Sequence, residues 1–143
     1  MLVRLMYASR ADEAVNADAL AAILKRSKEH NPQVGVTGVL CFCTNVRVFL
    51  QVLEGGRNAV SALYNRISQD PRHRDVALLS YDEIGERSFS HWSMGQVNMN
   101  RLNPALILKY SESTQLDPYA VSGQASLALF NELVATASIG VQV

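Results

Sequence analysis

The stretch Val34-Gly35-Val36-Thr37-Gly38-Val39-Leu40-Cys41-Phe42-Cys43, the turn Thr44-Asn45 and the return Val46-Arg47-Val48-Phe49-Leu50-Gln51-Val52-Leu53 decide the fold. Both limbs are rich in β-branched and aromatic residues and meet at a tight polar turn, the pattern of an antiparallel hairpin. Gly35 and Gly38 mark points of close approach. Upstream, Leu2 to Tyr7 reads as a short strand with Val3, Leu5 and Tyr7 on one face. Ser9 to Asn16 is a polar turn, after which Asn16 caps a helix and Asp18 complements its first turn. Leu20, Ile23, Leu24 and Ser27 keep helical spacing, and Asn31 falls near the same side. Asn31-Pro32 is expected to end that helix, because proline disfavours helical geometry in the residue before it.

Downstream of the hairpin, Gly55-Gly56 breaks the chain. Val60, Leu63, Tyr64 and Ile67 then form the apolar stripe of a second helix, which stops near Asp70-Pro71. Val76 to Ile84 reads as a fourth strand and Ser93 to Val97 as a short fifth. The order βαββαβ defines an α+β, ferredoxin-like fold with a fifth strand and two helices on one sheet face. Two C-terminal helices are appended, with cap-plus-proline starts at Asn103-Pro104 and Asp117-Pro118. The second places Val121, Leu127, Phe130, Leu133 and Val134 on its apolar side. These helices are suited to cover the open sheet face, in the same chain or in a neighbour.

The chain has 143 residues, suited to one core, and a formal net charge of zero. That balance argues against nucleic-acid binding by phosphate neutralisation. No apolar run approaches the ~20 residues of a spanning helix. The opening residues run straight into a strand, so no signal peptide is expected. The two cysteines, Cys41 and Cys43, share a strand face and read as small core residues in a reduced, cytoplasmic setting. No metal-ligand cluster, phosphate loop, dinucleotide fingerprint or nucleophile elbow is present.

Tyr7 and Gln51 are polar groups inside apolar strands. A buried phenol or carboxamide left unpaired costs roughly 1–3 kcal/mol, and neither strand offers an obvious second polar partner. A heteroaromatic ligand is one answer. Asn31 reads either as a helix-terminal cap or as a carboxamide facing an imide edge. Arg66 and Asp70, four apart, read either as a solvated ion pair or, with Pro71, Arg72 and His73, as a polar cluster donating to a ligand carbonyl. Trp92 and Met94 read as core residues, and His91 as a surface histidine.

Together these residues resemble the BLUF family, blue-light sensors that use FAD. The resemblance runs from about Leu2 to Leu102. It rests on Leu5-Met6-Tyr7-Ala8-Ser9, on Asn31 through Gly35-Val36-Thr37-Gly38-Val39-Leu40, and on Phe49-Leu50-Gln51-Val52-Leu53-Glu54-Gly55. It continues with Arg66-Ile67, Asp70-Pro71-Arg72-His73 and Glu86-Arg87-Ser88-Phe89 running into Trp92-Ser93-Met94. The length is similar to that of the short, single-domain PixD-like type. The hairpin turn at residues 43–47 is two residues longer than in such relatives, and Gly95 stands where they often carry a basic residue.

The resemblance implies a flavin, FAD with FMN as the variant, lying between the two helices with its edge toward the sheet. Tyr7 matches the electron-donor tyrosine and Gln51 the glutamine between it and flavin N5/O4. Asn31 matches the asparagine on the O4/N3 edge. Ser9 matches a serine of the hydrogen-bond network near Trp92. Arg66, Asp70, Arg72 and His73 match the polar cluster at the other end of the ring, and Ile23, Ser27, Leu40 and Phe49 match residues lining the pocket. Light-driven electron and proton transfer from Tyr7 through Gln51 then rearranges the flavin's hydrogen bonds, and Trp92 and Met94 respond. Residues 1–102 are the expected flavin-binding domain, and 103–143 a helical extension for packing, oligomer or partner contact. The expected output is contact with a homo-oligomer partner and a separate downstream protein, with no enzymatic, nucleic-acid or membrane role. A dark flavin redox protein and a chromophore-free ferredoxin-like binding module are the competing functions.

Overall fold

The computed structural model describes residues 1–44, 46–97, 103–135 and 139–140. Asn45 of the expected turn, the expected boundary at Leu102, and the side chains of Leu133 and Val134 lie outside the described residues. The elements are β1 (Leu2–Ala11), α1 (Ala17–Val34), β2 (Thr37–Cys43), β3 (Val48–Gly56), α2 (Arg57–Gln69), β4 (His73–Ile84), β5 (Gly95–Val97), α3 (Pro104–Leu108), α4 (Gly123–Ala135) and β6 (Ile139–Gly140). The sheet order is β4-β1-β3-β2-β5-β6. Its first four strands are the ferredoxin-like arrangement, with all neighbours antiparallel. β5 adds parallel to β2, and the two-residue β6, unforeseen in the sequence, pairs antiparallel with β5.

Alternation along the strands sorts the core into two layers. Val3, Leu5, Tyr7, Leu40, Phe49 and Leu53 point to one face, where Leu20, Ile23 and Leu24 of α1 and Leu63, Tyr64 and Ile67 of α2 cover them. Met6, Ala8, Val39, Cys41, Cys43, Leu50 and Val52 point to the other. Ile107 of α3, Leu116, and Leu129 and Phe130 of α4 cover that face from within the same chain. The two cysteine sulfurs lie there, 3.8 Å apart, beyond the ~2.05 Å of a disulfide.

Several boundaries differ from the sequence reading: β1 runs through the expected polar turn to Ala11, β4 begins at His73 instead of Val76, and β5 at Gly95 instead of Ser93. α1 does not stop at Asn31-Pro32; it carries Pro32 in its last turn and closes at Gly35, whose φ of +70° is the left-handed geometry of a helix C-terminus. The Asn31 carbonyl accepts from the Val36 amide at 3.0 Å and the Pro32 carbonyl from the Gly35 amide at 3.4 Å, so the helix closes within one turn of the proline. Asp117-Pro118 forms a turn instead of a helix start, with the Asp117 carboxylate accepting from the Tyr119 amide at 3.0 Å. α4 begins at Gly123 and is capped by Ser122, whose hydroxyl accepts from the Ala125 amide at 3.1 Å. Val121 therefore precedes that helix. β3 begins at Val48 because Val46 and Arg47 belong to the turn, Arg47 with φ of +54°.

Glu54 of β3 is a fully buried carboxylate. It accepts from Arg4 Nε at 2.8 Å, from the Ser88 amide at 3.0 Å and from the Phe89 amide at 2.7 Å. It thereby ties the segment leading to β5 onto the sheet centre. Removing one member of such a buried set leaves the others uncompensated. Glu54→Ala is expected to lower unfolding free energy by roughly 3–5 kcal/mol, read as a shifted urea midpoint.

Candidate functional site

α1 and α2 diverge over the sheet and leave a cavity of about 250 Å³ between them. The series Ile23, Arg26, Ser27, His30 and Asn31 presents one face of α1 to it, and Leu63, Arg66, Ile67 and Asp70 one face of α2. The floor is one row across three strands: Tyr7 pairs with Gln51 in the β1–β3 register, and Gln51 with Leu40 in the β3–β2 register. Phe49, Arg72 and His73 complete the lining. All eleven residues singled out from the sequence as cofactor contacts border this cavity: Tyr7, Ile23, Ser27, Asn31, Leu40, Phe49, Gln51, Arg66, Asp70, Arg72 and His73.

The two strand polar groups are bonded to each other. The Tyr7 hydroxyl donates to Gln51 Oε1, and Gln51 Nε2 donates to the Met94 sulfur at 3.1 Å. Tyr7 is 1 % exposed, and burial, with Tyr64 and Asp70 adding to it, pushes its phenol far above the ordinary range. It is therefore a neutral proton donor at every working pH. Asn31 donates one amide hydrogen to the Ser93 carbonyl at 2.9 Å, and so links α1 to the segment entering β5. Ser27 turns its hydroxyl back onto the Ile23 carbonyl at 3.0 Å.

The Ser9 hydroxyl lies 2.7 Å from His73 Nδ1. Trp92 packs in the layer under the C-terminal helices, whereas Met94 is fully buried in the layer under α1 and α2. Arg66 does not pair with Asp70. Asp70 is gripped by Arg72, whose Nε and Nη2 reach its carboxylate at 3.0 and 2.6 Å. Those hydrogen bonds hold the Asp70 carboxyl below its usual value. Arg66 Nη2 instead lies 2.9 Å from His30 Nε2 at the cavity mouth. Arg26 and His30 were not singled out from the sequence, although their spacing from Ile23 and Asn31 along α1 carried the signal.

The lining suits a flavin. The Gln51 carboxamide and Tyr7 phenol of the floor, with the Asn31 carboxamide of α1, supply both donors and acceptors for a ring edge bearing carbonyls and an N–H. Ile23, Leu40, Phe49, Leu63 and Ile67 supply apolar contact for the ring itself. Among the described residues, the Asn31 bond to Ser93 accounts for one of its two amide hydrogens. Three arginines stand against one aspartate around the lining.

The model of the BLUF family, sensors of blue-light using FAD, matches residues 2–95. The chain belongs to the BLUF family. Its chromophore is accordingly a flavin. The beta subunit of a photoactivated adenylate cyclase from Euglena longa is 35 % identical over 94 residues, 65 % of this chain and 11 % of that protein. The chain thus spans about a tenth of the length of the first curated relatives it matches. The structure of BlsA in its photo-activated state superposes with a TM-score of 0.80 at 34 % identity, covering 94 % of this chain and 95 % of that one. The dark-state structure of BlrB, a BLUF protein, gives 0.79 at 31 % identity, covering 95 % and 96 %. Among the described residues no helix is long and apolar enough to cross a membrane.

His73 gives the site a measurable pH signature. Burial lowers its pKa from 6.5 to about 4, with Asp70 opposing and Arg72 assisting. The folded imidazole stays neutral while the unfolded one takes a proton, so stability is retained above the ordinary value and lost as pH falls toward the folded one. His73 is expected to remove about 3 kcal/mol of stability between neutral pH and pH ~4. His73→Gln should flatten that part of the slope in urea titrations taken across the range.

Proposed function

We propose that this chain is a blue-light photoreceptor in which Tyr7 and Gln51 are the photoactive pair and Met94 the first group to feel their change. The observation that carries this reading is the continuous buried bond from the Tyr7 phenol through the Gln51 carboxamide to the Met94 sulfur. Bound flavin supplies a blue-absorbing group that becomes a strong oxidant when excited. Tyr7 is an oxidisable aromatic whose hydroxyl already donates to Gln51 Oε1. When the phenol loses an electron its proton becomes acidic and passes to the carboxamide. Return of both to Tyr7 with the carboxamide turned or tautomerised leaves Tyr7 and Met94 facing exchanged groups.

The change reaches Ser93 and Gly95 on either side of Met94, and hence β5, which pairs with β2 at Val39 and Leu40. In this reading residues 1–102 form the sensor and 103–143 the extension that contacts a second copy or a separate protein. The chain acts by contact, without an enzymatic step of its own, in the cytoplasm. Asn31 holds the flavin's O4/N3 edge, Ile23, Ser27, Leu40 and Phe49 its faces, and Arg66, Asp70, Arg72 and His73 the far end. The cationic mouth of Arg26 and Arg66 favours a phosphorylated flavin, FAD or FMN.

Two measurements test this. Tyr7→Phe should keep the flavin yet give no stable red-shifted state after blue light; a persistent red shift in that variant would falsify the pair. Arg26→Gln should weaken FMN binding to the apoprotein about tenfold while leaving riboflavin affinity unchanged, read by fluorescence titration.

A further inference from the structure

β4 breaks its regular pairing with β1 at two places. Met6 faces Ser80, but the next residue, Tyr7, faces Leu78, so Leu79 is an extra residue beside the backbone of the phenol. Ala8 faces Ala77 and Arg10 faces Arg74, so Asp75 and Val76 together stand against Ser9. Bulges of this kind bend a strand, interrupt its ladder and re-aim the side chains beside them. Asp75 has a φ of +51°, a left-handed geometry uncommon for a residue with a side chain.

One short segment touches both irregularities. The Tyr119 hydroxyl donates to the Asp75 carbonyl at 2.7 Å. Arg10 lies over the Tyr119 ring at 4.3 Å and reaches the Asp75 carboxylate at 3.3 Å. Four residues on, Gly123 opens α4 so close to the Leu79 carbonyl that an added methyl group would overlap its oxygen. The stretch from 119 to 123 is therefore fastened to β4 on both sides of Ala77 and Leu78, the residues paired with Ala8 and Tyr7. The same strand begins at His73, which holds Ser9.

We propose that Tyr119 and Gly123 are positioning residues that fix the two bulges of β4, set the placement of Tyr7 through them, and give the phenol a mechanical route to α4 that does not pass through β5. A shift of the Tyr7 backbone moves the bulge carbonyl of Leu79, and Gly123 leaves no slack to absorb that motion. Tyr119 anchors the other bulge, so β4 turns about one fixed point and presses on the other. The holding role stands on geometry alone; the light-dependent role rests on the photoreceptor reading above.

The test compares the flavin-loaded wild type with Tyr119→Phe and Gly123→Ala by amide hydrogen exchange in darkness and under blue light, alongside recovery of the visible spectrum. Tyr119→Phe keeps the ring under Arg10 and removes only the hydroxyl. Its amides from 74 to 80 should exchange about fivefold faster in the dark, with an unchanged dark flavin spectrum. Its return from the red-shifted state should change by roughly threefold or more, an effect that surface packing alone would not produce. In the wild type, light should alter exchange in both 74–80 and 119–127, and Gly123→Ala should disconnect the second region from the first. If Gly123→Ala does not fold, Tyr119→Phe decides. Unchanged exchange over 74–80 together with unchanged recovery in Tyr119→Phe overturns the proposal. A wild type that binds flavin but shows no spectral shift under light overturns the photoreceptor reading and the light-dependent role, and the dark exchange comparison then rules on the holding role by itself.

Discussion

The cross-strand bond from the Tyr7 phenol to the Gln51 carboxamide is the constraint around which this fold is arranged. Both groups are removed from water, and each supplies what the other needs. The bond exists only in the register that sets Tyr7 opposite Gln51, and a slip of one residue would turn every side chain of β1 to the other face. That register also puts Leu5 and Leu53 under the helices, and Met6 and Val52 under the C-terminal extension. A polar pair, rather than the apolar alternation alone, thus marks the row where the cavity opens.

Much of this was legible because it is local. The hairpin, the two amphipathic helices and the βαββαβ order follow from periodicities and breakers lying within a few residues of one another. The cavity lining followed from the family pattern, and the structure gathers those residues in one place. Partners were legible only where they were near in the chain. Ser9 and His73 are 64 positions apart, and nothing in either segment announces their bond. Arg66 and Asp70 have ion-pair spacing, yet Asp70 closes α2 and the backbone beyond it swings Arg72 into a bidentate grip. The residues by themselves showed only that Tyr7 and Gln51 needed partners; the family resemblance set them side by side, and the structure bonds one to the other.

Trp92 and Met94 show how one boundary changes a prediction. The sequence reading began the fifth strand at Ser93, with Met94 inside it and Trp92 just before it. The chain from 91 to 94 is a series of turns and bends, and β5 begins at Gly95. The indole and the thioether consequently belong to opposite layers of the sheet. Glu54 has a similar lesson: a lone acid in an apolar strand was visible, but its three donors come from Arg4, Ser88 and Phe89, far along the chain in both directions.

The Gln51 carboxamide is gripped unequally. Its oxygen holds a phenolic proton, whereas its nitrogen points at a thioether, one of the weakest acceptors a protein offers. A group tied firmly at one end and loosely at the other behaves as a pivot with a low detent: it stays put while the phenol donates, and little resists its swing once that donation lapses. Methionine is also the most adaptable apolar side chain, so it can re-pack around either orientation. The choice of sulfur over oxygen at this single contact leaves the amide end of Gln51 the weaker of its two attachments.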